Sequence, residues 1–296
     1  MRNNSLRRII LLLIAFLLFS VVFFPAVCSD RREQDESISE TGIPSVDVTI
    51  TQNPGIQRAD PDREAFVEDY WRLIFIEAGI PGDIARNIIA SALESPGFVM
   101  DLLMILQQDP YIYRLVDKEH SLPIDYAPDD LFALRAGTFR ITRNDLSLRG
   151  IALDALQEMA EAAALDGVTF TIGSSYRSGT YQEEVYNRWV TQLGREEADR
   201  VSARPGHSQH QLGLVVDFSP IDNSFANTPA ARWLSDNASR FGWSLSYPED
   251  LEHITGYSWE SWHYRYVGKD LAEFIDNYFD GIQQYALQFI RVWGAW

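Results

Sequence analysis

Two short segments, LGLVVDF at 212–218 and WHYRYVG at 262–268, alternate with the period of two that belongs to a β-strand. On a strand, Leu214, Val216 and Phe218 share one face, while Gly213, Val215 and Asp217 share the other. In the second segment His263, Arg265 and Val267 lie together, with Trp262, Tyr264 and Tyr266 opposite. Asp217 thus points away from the more apolar face, onto the side that a turn at Gly213 can share with His210. Nothing covalent can staple such a sheet. Cys28 is the only cysteine, so an intrachain disulfide is impossible and the fold stands on its core or on a metal.

Around these segments the texture is mixed. Residues 29–60 are polar, charged and without helical periodicity, which reads as a flexible linker. Asp62 caps an expected helix in which Phe66, Tyr70, Leu73 and Ile74 recur at helical spacing before Gly79 and Pro81. GDIARNIIASALES and PGFVMDLLMILQQD are two further short amphipathic helices, separated at Ser95-Pro96. This helical unit, residues 61–112, carries no chemical signature and reads as a packing or positioning module. From Leu115 the pattern becomes α+β. LVDKEHSLPIDYAPDDL, rich in proline and aspartate, is an extended wrap. Leu148, Ala152, Ala155, Leu156 and Met159 mark one face of a strong helix that Gly167 ends. VTFTIGSSYRS is a strand turning at Gly173, TYQEEVYNRWVTQLG and PAARWLSDNASRFG are helices, and residues 271–296 form one aromatic-rich amphipathic helix.

The 296-residue chain has a net charge of −17. Residues 1–28 hold three arginines and no acid, so the remainder carries 22 basic against 42 acidic residues. With no basic patch, nucleic-acid binding is excluded as a function class. Residues 1–28 have the basic start and long apolar run of a signal peptide or membrane anchor. Cleavage after Cys28, an uncleaved anchor with N-terminal membrane association, and lipid modification of Cys28 all remain open. Each places the body outside the cytoplasm, in the periplasm or cell envelope.

Hydrolytic zinc chemistry needs three protein ligands of nitrogen or carboxylate type, an open position for water, and a non-ligating carboxylate as base. His210, Asp217 and His263 are the candidate ligands, and Glu260, three residues before His263, is the candidate base. Spacing alone leaves a structural reading open, because an H-x6-D pair is common and a lone strand histidine is usually a satisfied core residue.

The motifs decide more. SQHQLGLVVD resembles the S-x-H-x-x-G-x-A-x-D motif, and ESWH the E-x-W-H motif, of the zinc D-Ala-D-Ala peptidases of the VanY and VanX kind, within the LAS and hedgehog-type group. LVDKEHSLPIDYAPDDL is similar to the lead-in segment of VanY-like carboxypeptidases, and SSYRSGTYQEEVYN to their S-x-Y-R-S-x-x-x-Q segment. The four motifs occur in the family's order and span about Leu115 to Gly268.

The resemblance implies a small antiparallel sheet flanked by helices, with a catalytic domain at 113–270 holding one Zn2+ through His210, Asp217 and His263. It implies Glu260 as acid/base, and Arg177 as the cation that binds a terminal carboxylate or supports the oxyanion. Ser208 and Gln182 match substrate-side positions. Ser175 and Tyr176 are read as holding the loop, and Trp262 as a packing wall. His207 reads as loop or rim, His253 as a surface residue or a neighbour of the site, and His120 as structural. Val215 stands where the family has alanine, and either narrows the pocket or fills core. The implied activity is removal of the terminal D-alanine from peptidoglycan stem peptides. L,D-carboxypeptidase, D,D-dipeptidase and wall endopeptidase activities remain alternatives on the same fold, and a zinc-stabilised wall-peptide binding domain is the alternative of another class. Oligomeric state is left open.

Overall fold

The computed structural model describes residues 71–94 and 97–294. The expected N-terminal segment of residues 1–28, the linker, the Asp62 cap and the Ser95-Pro96 break lie outside the described residues. Among the described residues no helix is long and apolar enough to cross a membrane.

A five-stranded sheet organises the body, in the order β2 (Arg140–Ile141), β4 (Thr171–Ser174), β5 (Val215–Phe218), β7 (His263–Tyr266) and β6 (Trp243–Leu245). Three of its neighbouring pairs are antiparallel as expected, and the two-residue β2 adds a parallel edge beside β4. A separate antiparallel pair joins β1 (Leu131–Ala133) to β3 (Ser147–Arg149). Register puts Ile172 beside Phe218, and Val216 beside Tyr264. On this face Phe218 stacks on Phe225 and meets Phe170, which packs edge-on against Trp233. The helices Gly150–Leu165 and Pro229–Asn237 cover it. The opposite face aligns Ser174 with Asp217, Asp217 with His263, and Val215 with Arg265. Apolar and polar alternation has therefore sorted packing to one side of the sheet and chemistry to the other.

Local signals set the element ends. Ser178 caps the helix Gly179–Leu193 by accepting from the Tyr181 N–H. Thr228 does the same for Pro229–Asn237, with proline at its first turn. The expected face Ala152, Ala155, Leu156 and Met159 is buried on Gly150–Leu165, and Leu148 is buried too, although it belongs to β3. Gly173 lies within β4, beside an irregularity in the register, rather than at a turn. A short helix, Arg195–Val201, follows directly after Gly194.

The expected single C-terminal helix is two, Lys269–Tyr278 and Gln283–Gly294. Asp280 and Gly281 adopt φ of 51° and 75°, a left-handed conformation that no α-helix continues through. The apolar periodicity runs across the break and conceals it. Both C-terminal helices pack on Gly97–Ile105, and Gln283–Gly294 also packs on the helical residues 71–77, through an aromatic cluster. Phe75 stacks on Phe289 at 4.9 Å between centroids, and Phe98 meets Phe274 at 5.0 Å. The helical unit and the sheet share one continuous hydrophobic core.

Candidate active site

His210 sits on a single 3-10 turn, Gln209–Leu212, that ends at Gly213 in the left-handed region, φ 69°. A Cβ at Gly213 would lie 2.9 Å from Leu131 Cδ2 and 3.0 Å from Arg149 Cγ, so both conformation and space require glycine. The turn swings His210 over β5, where Asp217 faces His263 across the strand pair. His210 Nε2 is 3.2 Å from Asp217 Oδ2, and His263 Nδ1 is 3.2 Å from Asp217 Oδ1. One donor atom from each of the three lies within 4.8 Å of the others, and all three residues are buried.

The arrangement fits a cation. His210 Nδ1 is 2.7 Å from the Ser175 carbonyl, to which it donates, leaving the Nε2 lone pair facing inward. Asp217 Oδ1 is buried and accepts no hydrogen bond. Burial pulls His210 down to about 4, so it is neutral and ready to ligate. Burial opposes the charge on His263 too, but the Asp217 and Glu260 carboxylates outweigh it and push the imidazole up to about 9. Burial also works against the Asp217 charge, yet the two imidazoles hold that carboxyl well below the usual carboxylate range. Two carboxylates and two imidazoles thus gather around one positive charge. A metal ion can take the place of that proton.

Glu260 lies just before β7, with Oε2 3.2 Å from His263 Nδ1. Burial raises its pKa, and His263 offsets only part of that. A carboxyl held above its ordinary range beside a ligand set is suited to taking and returning a proton.

Arg177 follows β4 on the opposite wall. Its backbone N–H donates to the His210 carbonyl, its Nη2 donates to Ser174 Oγ at 3.0 Å and its Nη1 to Gln182 Oε1 at 2.8 Å. Burial lowers its pKa, partly offset by Asp217 and Glu260, and the guanidinium stays charged. Gln182 donates through Nε2 to the Ala203 carbonyl at 2.6 Å and to Ser202 Oγ. Both ends of its amide are therefore engaged, and Gln182 braces the arginine. Ser208 is buried and lines the same cleft.

That cleft has a volume of about 1170 Å³ and is lined by all seven residues singled out from the sequence. Trp189, Ile221 and Trp259 supply apolar wall, and the ion pair Arg200–Glu252 lies at its edge. Trp262 forms wall and also packs on the core. Val215 is fully buried opposite Arg265 and is not among the lining residues, so its two extra methyl groups fill the interior. Ser175 holds the loop as expected, accepting from the Ser147 N–H through Oγ. His207 Nδ1 approaches the Asp117 carbonyl, His120 pairs with Asp117, and His253 is exposed on the cleft wall. Sequence reasoning missed Ser174 as a partner of Arg177, and Tyr247, whose ring lies tilted against His263 at 4.7 Å between centroids. Ser174 lies in the quoted S-S-Y-R segment, but its place opposite Asp217 comes from strand pairing that the sequence does not display.

The family model for VanY, D-alanyl-D-alanine carboxypeptidase, matches residues 145–269. YodJ of Bacillus subtilis (strain 168), whose name assigns it provisionally to the carboxypeptidases, is 35% identical over 185 residues, 60% of this chain and 68% of that protein. A D-alanyl-D-alanine carboxypeptidase of Enterococcus faecalis (strain ATCC 700802 / V583) is 39% identical over 126 residues, 40% of this chain and 47% of that protein. Among solved structures, the LdcB LD-carboxypeptidase superposes with a TM-score of 0.53 at 34% identity, covering 59% of this chain and 89% of its own. The matched span carries both histidine segments, Glu260 and Arg177 in one cleft, and the chain belongs to the VanY family of D-alanyl-D-alanine carboxypeptidases.

Proposed function

We propose that this chain is a zinc D,D-carboxypeptidase that removes the terminal D-alanine from peptidoglycan stem peptides outside the cytoplasm. The observation that carries the reading is the buried His210–Asp217–His263 group with the raised carboxyl of Glu260 beside it, in a cleft that also holds Arg177.

His210 Nε2, Asp217 and His263 Nδ1 would hold the zinc, whose chemistry in such a site is Lewis-acid polarisation of a carbonyl and acidification of water. Glu260 takes the proton from the attacking water and later passes it to the departing amine of D-alanine. Arg177, braced by Ser174 and Gln182, presents its guanidinium to the terminal carboxylate or to the developing oxyanion. Ser208 adds a hydroxyl on the substrate side. A wall substrate agrees with delivery through the apolar N-terminal segment, whether cleaved or kept as an anchor.

A second reading, L,D-cleavage of tetrapeptide stems, is favoured by the likeness to LdcB. Incubating the zinc-loaded protein with a stem pentapeptide and, separately, a tetrapeptide distinguishes them by product mass. Loss of one alanine from the pentapeptide is expected. Loss only from the tetrapeptide establishes the second reading, and no release from either overturns both.

A further inference from the structure

His210 and His263 present opposite ring nitrogens to the ligand group. His210 faces Asp217 through Nε2, and its Nδ1 proton goes to a backbone carbonyl. His263 faces Asp217 and Glu260 through Nδ1, each at 3.2 Å, and so turns Nε2 away from the cleft. An imidazole that offers Nδ1 as a ligand keeps its single proton on Nε2. That proton needs an acceptor in a buried place, and the atom within reach is Gln209 Oε1, at 3.3 Å.

Gln209 is itself buried and is held from a second direction. Ser246 Oγ donates to the same Oε1 at 2.8 Å. Two donors converge on one amide atom, which sets the amide with oxygen toward His263. Ser246 is anchored in turn by the C-terminal helix. Gln283 Nε2 donates to the Ser244 carbonyl at 3.2 Å, which turns Gln283 Oε1 toward Ser246 Oγ at 3.2 Å, where it is the second, longer acceptor of the one hydroxyl proton that Gln209 Oε1 takes at 2.8 Å. Gln209, Ser246 and Gln283 are each nearly inaccessible, so water does not substitute for any of them.

We propose that Gln209 is a positioning residue that holds His263 in the tautomer and orientation needed for metal binding, and that Ser246, anchored by Gln283, holds Gln209. The inference rests on the zinc reading above. It gives the C-terminal helix Gln283–Gly294 a part in the metal centre that no ligand motif contains.

The test is zinc affinity of the full chain, measured by competition with a chromophoric chelator, which does not depend on turnover. Gln209→Leu is expected to weaken zinc binding by about 10- to 100-fold, the effect typical of removing a partner behind a metal-ligating histidine. Gln209→Glu keeps an acceptor and is expected to stay within about threefold of the parent. Ser246→Ala is expected to fall between them. In the zinc-loaded protein, the His263 Nε2–H resonance should move in Gln209→Leu and Ser246→Ala, while the His210 Nδ1–H resonance, bonded to backbone, stays in place. Equal affinity for the parent and Gln209→Leu, or equal loss in Gln209→Leu and Gln209→Glu with the fold intact by circular dichroism, overturns the inference. If Gln209→Leu does not fold, an unmoved His263 resonance in Ser246→Ala overturns it. A parent chain that binds no zinc overturns the zinc reading itself, and the inference with it.

Discussion

Asp217 and His263 stand opposite one another on adjacent antiparallel strands, with Oδ1 of one 3.2 Å from Nδ1 of the other. Because sheet register holds this pair, the proposed ligand group needs no metal to assemble, and its occupancy should be separable from folding. Stripping the protein with a chelator should abolish D-alanine release, and added zinc should restore it. Asp217→Asn, nearly identical in shape, should fold and fail to retain stoichiometric zinc by metal analysis. Full zinc occupancy in that variant would remove Asp217 from the ligand set.

Glu260 borders the ligand group without belonging to it. Glu260→Ala should therefore keep about one zinc per chain while kcat falls by roughly 10²- to 10⁴-fold, the usual worth of a positioned acid–base group. Metal content and turnover measured on the same preparation check both halves. Unchanged turnover would exclude Glu260 from the proton transfer.

Arg177 and Gln182 act as one unit, since the glutamine's oxygen accepts from the arginine and its nitrogen is held by Ala203 and Ser202. Arg177→Met should lower kcat/KM by roughly 10²- to 10³-fold, as loss of an oxyanion-stabilising donor does. Gln182→Leu should cost less. The double variant should be no worse than Arg177→Met alone, because the second change removes a brace for a group already gone. Additive losses would give Gln182 a separate contact with substrate.

Lys118 supplies a pH signature away from the metal. Its ammonium lies 3.6 Å from the centre of the Tyr257 ring and donates to the Asp199 carbonyl. Burial pulls its pKa down to about 8, against the opposing pull of Asp199. The unfolded chain then binds more protons than the folded one from about pH 8 to about 10.4, so this residue makes stability rise with pH across that window. Below pH 8 the lysine is charged in both states and contributes no slope. Denaturant unfolding from pH 7 to 10.5 should show a component of this sign in the parent that disappears in Lys118→Met. Parallel curves for the two proteins would contradict it.

Phe289 is fully buried against Phe75, Phe98 and Phe279. Phe289→Ala should destabilise by about 3–5 kcal/mol through lost burial and the cavity left behind. Calorimetry on the zinc-free protein measures this. A loss below about 1 kcal/mol would mean that the helical unit and the sheet do not share their core.

How much of this was legible in the sequence depended on whether a residue type or a neighbour defined the feature. His210, Asp217, His263, Glu260 and Arg177 are recognisable because their chemistry restricts residue type and their spacing follows strand geometry. Gln209 sits between two recognisable residues, but its function depends on Ser246, 37 residues away. Arg140–Ile141 is a strand only because Thr171 and Ile172 lie beside it, since two residues show no periodicity. The turn at Asp280-Gly281 was hidden by an apolar pattern that fits one long helix as well as two short ones. The place of Val215, fully buried on the ligand side of β5 yet apart from the cleft, was decided by its register with Arg265.

The aromatic cluster that joins residues 71–105 to residues 269–294 also fixes the order in which this molecule can be finished. Synthesis delivers Trp71 and Phe75 before the cleft residues and Phe289 after them, so residues 71–77 wait for that whole stretch before this partner exists. Every residue of the catalytic cleft is made during that wait. The body therefore closes like a clasp, these two stretches meeting only after the machinery between them is complete.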